Sequence, residues 1–221
     1  MAQGKIRLPT GVLIASAILA GMSAGAVGVY VFGGPFGSER QSVAASDPAQ
    51  SCPARDDKIA AIDKAAQGEV AAMLPADPPL SMSSLAFNGP DGAAMTVAEL
   101  AGKTLLINLW ATWCAPCREE MPALNELQAT IGGPDFEVVA VNLDTGGDER
   151  PKAFLQEIGV DELTYYRDST LALFNNLKRR GLAIGLPVTL LVDEEGCLLA
   201  HMNGPAEWAS DDAKRLIEAA M

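Results

Sequence analysis

Positive charge and histidine are what this sequence is short of. Lys and Arg number 16 against 28 Asp and Glu, a net charge of −12. So acidic a surface disfavours contact with phosphate backbones and anionic lipid, which excludes nucleic-acid binding and electrostatic adhesion to a bilayer. Solubility is the plain reading of the acidity. His201 is the only histidine. A structural zinc site needs four ligands, and the cysteines other than the Cys114/Cys117 pair are distant in sequence, so no resident metal or cofactor is expected.

Charge is missing altogether from residues 8–38, with Lys5 and Arg7 just before them. The apolar heart of that stretch, residues 12–32, is about long enough to cross a bilayer as a helix. Signal peptides have a shorter apolar region, of roughly 7–15 residues. The expectation is therefore an uncleaved single-pass anchor. Ser23-Ala24-Gly25-Ala26 keeps a cleaved signal open as the alternative. The basic residues stay on the cytoplasmic side, so the rest of the chain is exported. In a bacterium that places it in the periplasm, tethered to the inner membrane. Gly21 and Gly25 form a weak G-x-x-x-G that could bring two such helices together.

What is present is a packed-core composition, 49% hydrophobic and 20% charged, over 221 residues. Residues 1–37 read as cytoplasmic stub and anchor, 38–55 as a linker rich in Gly, Ser, Ala and Pro, 56–79 as an added helical segment, and 80–221 as the main domain. Helical spacing runs over residues 56–74, and Pro75, Pro78 and Pro79 follow. Short strands are expected at 85–87 and 163–166. Continuous apolar strands are expected at 104–110 and 136–143, as for strands buried on both faces. A helix runs from Cys117 to about 131, kinked at Pro122. Helices at 149–158 and 171–180, a hairpin of strands 188–192 and 197–202, and a closing amphipathic helix at 207–220 complete the pattern. Strands alternating with helices and ending in a hairpin argue an α/β fold with a mixed central sheet.

The chemistry concentrates in Asn108-Leu109-Trp110-Ala111-Thr112-Trp113-Cys114-Ala115-Pro116-Cys117-Arg118-Glu119-Glu120-Met121-Pro122. A strand runs into a Cys-x-x-Cys pair that opens a helix. Free N–H groups at a helix N-terminus favour an anion, so a thiol there ionises more easily, and the thiolate is the species that attacks disulfides. Cys114 is the expected nucleophile. Cys117, one helical turn on, is the expected resolving thiol. Pro116 falls in the first helical turn, where its missing N–H costs nothing.

These residues, with Gly185-Leu186-Pro187-Val188-Thr189, resemble the thioredoxin superfamily, and within it the TlpA-like membrane-anchored periplasmic thiol:disulfide interchange proteins. The helix and strand between residues 149 and 166 match the insertion of that branch. The resemblance implies a thioredoxin-like fold and a dithiol reductant, since no histidine separates the two cysteines. It implies that Pro187 is a cis-proline beside the thiols, and that Leu186 offers backbone groups, with Trp113 and Pro116, to a bound protein. Asn108 departs from thioredoxin, which has an aspartate there. Glu120, three residues after Cys117, is then the expected proton acceptor. The resemblance also pairs Cys52 with Cys197 as a structural disulfide, which in the chain-entropy picture contributes roughly 4–5 kcal/mol. The implied partners are exported Cys-pair proteins. A copper chaperone or the copper-bearing subunit of cytochrome oxidase leads, and the apocytochrome c pathway is the runner-up. An integral-membrane donor supplies electrons. A copper-binding chaperone and a general disulfide isomerase are the rival functions. His201 is expected on a hairpin surface, and Lys178-Arg179-Arg180 at a helix C-terminus.

Overall fold

A computed structural model describes residues 52–221. The expected anchor, its Gly21/Gly25 pair and most of the linker lie outside the described residues. Among the described residues no helix is long and apolar enough to cross a membrane.

In chain order the elements are α1 (Asp56–Ala65), β1 (Leu74–Pro75), β2 (Ala86–Asn88), β3 (Ala94–Thr96), β4 (Thr104–Trp110), α2 (Ala115–Ile131), β5 (Phe136–Asn142), α3 (Glu149–Glu157), β6 (Tyr166–Arg167), α4 (Ala172–Arg179), β7 (Val188–Val192), β8 (Leu198–Asn203) and α5 (Asp211–Ala220). The eight strands form one sheet in the order β1-β8-β7-β4-β5-β6-β2-β3. β4, β5 and β6 are parallel to one another, and the remaining pairs are antiparallel. This is the mixed-sheet α/β architecture expected from the sequence.

β4 sits in the middle because it can be buried on both faces. Leu105, Leu106, Ile107, Leu109 and Trp110 are all within the core. Each such side chain contributes on the order of 1.5–3 kcal/mol through burial. β4 pairs along its whole length with β5 and antiparallel with β7, Leu109 opposite Val188. Three chain segments therefore meet at one end of the sheet. β4 leaves it at Trp110, β7 enters it after Pro187, and β8 finishes there with Asn203 opposite Val188.

The differences from expectation have local causes. The first helix ends at Ala65 rather than at residue 74, because Gly68 takes a left-handed φ of +56° and a short 3-10 turn follows over Gly68–Val70. The last helix begins at Asp211, with the Ser210 side chain accepting the Ala213 N–H. Residues 207–208 are not part of it. The 17-residue helix α2 continues through Pro122 as one helix. His201 is half-buried within β8 between Leu74 of β1 and Leu190 of β7, and burial lowers its pKa. Arg180 follows α4 and donates to the Ser81 carbonyl at 2.8 Å.

α1 is fastened to the sheet at its N-terminal side. Cys52 is disulfide-bonded to Cys197, with Cα atoms 5.8 Å apart. Arg55 pairs with Asp193 at 2.6 Å and with Glu195 at 2.8 Å, and Lys58 pairs with Glu194 at 3.1 Å. The acidic turn between β7 and β8 thus meets two cations, Arg55 at the N-cap of α1 and Lys58 in its first turn.

Candidate active site

The site lies at the sheet end where β4, β7 and β8 meet. Cys114 is the N-cap of α2 and has extended backbone (φ −92°). Its Sγ accepts the Cys117 backbone N–H at 3.3 Å. One of the helix's free N–H groups is therefore already turned on the sulfur, as an anion there requires. Cys114 and Cys117 are joined as a disulfide with Cα atoms 5.3 Å apart. Cys114 is 6% exposed and Cys117 is fully buried. An incoming sulfur thus reaches Cys114 first. Pro116 sits in the first turn of the helix.

Trp113 is 62% exposed immediately before the nucleophile. Across the sheet end, the Leu186–Pro187 peptide is cis. Register places Pro187 beside the end of β4, since Val188 pairs with Leu109. Ile184, three residues before Pro187, is the most exposed large apolar side chain among the described residues, at 82%. Its backbone N–H donates to Asn203 Oδ1 at 2.8 Å.

Glu120 lies on the buried face of α2, one turn after Cys117, and is 3% exposed. Its carboxylate accepts three hydrogen bonds. Asn108 Nδ2 donates to Oε1 at 2.8 Å, Trp208 Nε1 to Oε2 at 3.1 Å, and the Ala206 backbone N–H to Oε2 at 3.2 Å. Burial pushes the carboxyl pKa up to about 7, against the lowering effect of these three donors. Asn108 Nδ2 also donates to Thr189 Oγ1 at 3.1 Å, two residues past Pro187. One amide in the central strand therefore links the acidic group to the strand that follows the cis-proline.

The structure brings Cys114, Cys117, Glu120, Trp113, Pro116, Leu186 and Pro187 to this one end. It places the Cys52–Cys197 disulfide elsewhere, at the start of β8 and so at the opposite end of that strand. Reading the sequence missed Trp208 and Ala206. The sequence pattern puts residues 207–208 in the last helix, whereas they precede it, and Ala206 and Trp208 close over Glu120 while Glu207 stays exposed. A tryptophan just ahead of a Ser-capped acidic first turn was the available signal.

The Redoxin family profile matches residues 76–217. The chain belongs to the Redoxin family. Thioredoxin-like protein YneN of Bacillus subtilis (strain 168) is 32% identical over 114 residues, 48% of this chain and 60% of that protein. Thiol-disulfide oxidoreductase ResA of Bacillus thuringiensis (strain Al Hakam) is 29% identical over 116 residues, 52% of this chain and 62% of that protein. The matched region is thus less than two thirds of the length of these curated relatives. A crystal structure from Chlorobium tepidum, assigned as a thiol:disulfide interchange protein DsbE, superposes with a TM-score of 0.54 at 27% identity, covering 63% of this chain and 94% of that one. The fold of this Redoxin-family protein is thioredoxin-like.

Proposed function

We propose that this Redoxin-family protein is a thiol:disulfide oxidoreductase that works as a dithiol reductant of exported proteins, held at the bacterial inner membrane with its domain in the periplasm. The observation that carries the reading is the Cys114 sulfur at the cap of α2, with a buried acid one turn beyond its partner thiol. The names of the relatives, thiol-disulfide oxidoreductase and thiol:disulfide interchange protein, support the same chemistry. The charge-free run of residues 8–38 behind Lys5 and Arg7 supports the placement.

The reaction balances within the pair. The Cys114 thiolate attacks one sulfur of the partner's disulfide, forming a mixed disulfide and releasing one partner thiolate. Cys117 gives its proton to the Glu120 carboxylate and attacks the Cys114 sulfur. The Cys114–Cys117 disulfide forms, and the partner's second thiolate leaves. Two electrons pass from this protein to the partner, and the thiolates released take protons from water. The form described is the oxidised product of that cycle. An integral-membrane donor would restore the dithiol. A cysteine pair awaiting copper, on a copper chaperone or the copper-bearing subunit of cytochrome oxidase, is the partner that the TlpA-like resemblance favours. An apocytochrome c is the alternative.

A Cys117→Ser variant, expressed full-length in native membranes, leaves the mixed disulfide unresolved. The expected result is a covalent adduct with an exported Cys-pair protein, dissolved by reductant and absent when Cys114 is also replaced. Failure to form any such adduct overturns the reading. A reduction potential near the roughly −120 mV of DsbA, rather than the roughly −270 mV of thioredoxin, overturns the direction.

A further inference from the structure

A second buried polar cluster lies at the same end of the sheet. Asp144 follows β5 by two residues and is buried. Its Oδ2 accepts the Thr112 backbone N–H at 2.9 Å and Asn142 Nδ2 at 2.7 Å. Its Oδ1 accepts the Thr112 hydroxyl at 2.6 Å. The Asp144 N–H in turn donates to Asn142 Oδ1 at 3.1 Å, and Asn142 stands opposite Trp110 in the sheet register. Burial works to raise the Asp144 pKa, but the hydrogen bonds from Thr112 and Asn142, together with the charge of Arg150, outweigh it and hold the group below the ordinary carboxylate range.

The cluster acts on a short turn. Thr112 lies midway between the last residue of β4 and Cys114. Within the turn itself, the Cys114 N–H reaches back to the Ala111 carbonyl at 3.1 Å. Both polar groups that Thr112 can donate go to one carboxylate rooted in the neighbouring strand. In the oxidised form the disulfide also pins Cys114. When the pair is reduced that covalent restraint is gone, whereas the Thr112–Asp144 bonds involve neither sulfur. A nucleophile needs its attack geometry in the reduced form, and small misplacements there lower rates steeply.

We propose that Asp144 is a positioning residue for the nucleophile, fixing through Thr112 the turn that sets Trp113 and the Cys114 sulfur at the mouth of α2. The proposal rests on the reading of Cys114 as the attacking thiol.

The test is single-turnover oxidation of the reduced protein by a cyclic Cys-x-x-Cys peptide disulfide, followed by stopped flow as a function of peptide concentration. Asp144→Ala should lower the limiting rate by about tenfold or more and leave the half-saturating concentration within about twofold. Asp144→Asn should stay within about threefold of wild type. Its amide oxygen can still accept the Thr112 N–H, and its amide nitrogen can donate to the Thr112 hydroxyl. Thr112→Val, which removes only the hydroxyl, should lose severalfold. Wild-type rates in Asp144→Ala, a change in half-saturation alone, or an Asn variant as impaired as the Ala variant would each overturn the proposal. If Asp144→Ala does not fold, Thr112→Val decides: an unchanged limiting rate overturns it. A Cys114→Ser control separates the two readings, because oxidation of Cys117 at the wild-type rate without Cys114 refutes the nucleophile assignment itself.

Discussion

Replacing Glu120 by Gln tests stability and chemistry at once. Burial lifts the Glu120 carboxyl from its ordinary 4.5 to about 7 in the fold. The unfolded chain therefore releases this proton first as pH rises. The stabilising contribution of the neutral carboxyl is fully present below about pH 4.5, and is lost as pH climbs through about 7. At 1.36 kcal/mol per pKa unit, a rise of about 2.5 units corresponds to about 3 kcal/mol. A Gln side chain does not titrate and carries none of this slope. It also fits the site. Its oxygen can accept from Trp208 and Ala206, and its amide can donate to Asn108 Oδ1, which has no partner among the described residues, once the Asn108 amide turns over. Denaturant titrations of the oxidised protein should show the variant gaining on wild type by about 3 kcal/mol between pH 4.5 and 8. The rate of reduction of a small disulfide should move the other way. At pH 8 the variant should be on the order of a hundredfold slower, and the wild-type inflection near pH 7 should be absent from its profile. A stability difference flat in pH would refute the buried-acid argument. An inflection that survives the substitution would refute the proton-accepting role.

Trp208→Phe removes one of the three donors to the Glu120 carboxylate. It should shift the kinetic inflection upward, by about half a unit to one unit, as loss of a hydrogen bond to the charged form requires; a pH–rate series checks this. Removing the Cys52–Cys197 bond by a double Ser substitution opens a loop of sequence separation 145. It should cost about 5 kcal/mol in the chain-entropy account, measured by denaturant unfolding, with the rate of small-disulfide reduction within about twofold of wild type.

What could be read from the sequence follows the strength of the local signal. β4 and β7 begin and end where the apolar runs do, because strands buried on both faces carry no polar interruption beyond Asn108 and Thr189. β1 and β3 were not legible. Leu74–Pro75 is two residues long and exists because His201 and Ala200 pair with it. Ala94–Thr96 is strand only as the return arm of a hairpin with β2. At the site, the cysteines, Glu120 and Pro187 stand in one motif or one loop and were named from it. Their supports were not, because Trp208 and Asp144 arrive from segments 88 and 32 residues away from the groups they bind. Nothing in the residues around Asp144 marks it apart from any carboxylate after a strand, and only the parallel pairing of β4 with β5 brings it to Thr112.

The disulfide at the start of β8 has a mechanical consequence. β8 runs from Leu198 to Asn203, and its far end lies with the cis-proline loop at the reactive end of the sheet. At about 3.3 Å per residue, that strand separates the two poles by about 20 Å. Any pull transmitted from upstream residues enters the domain at Cys52 and is handed directly to Cys197, bypassing α1. The load is borne at the pole away from Cys114. A load applied there would grip the domain by its base and leave the end that carries Cys114 and the exposed Trp113 unloaded.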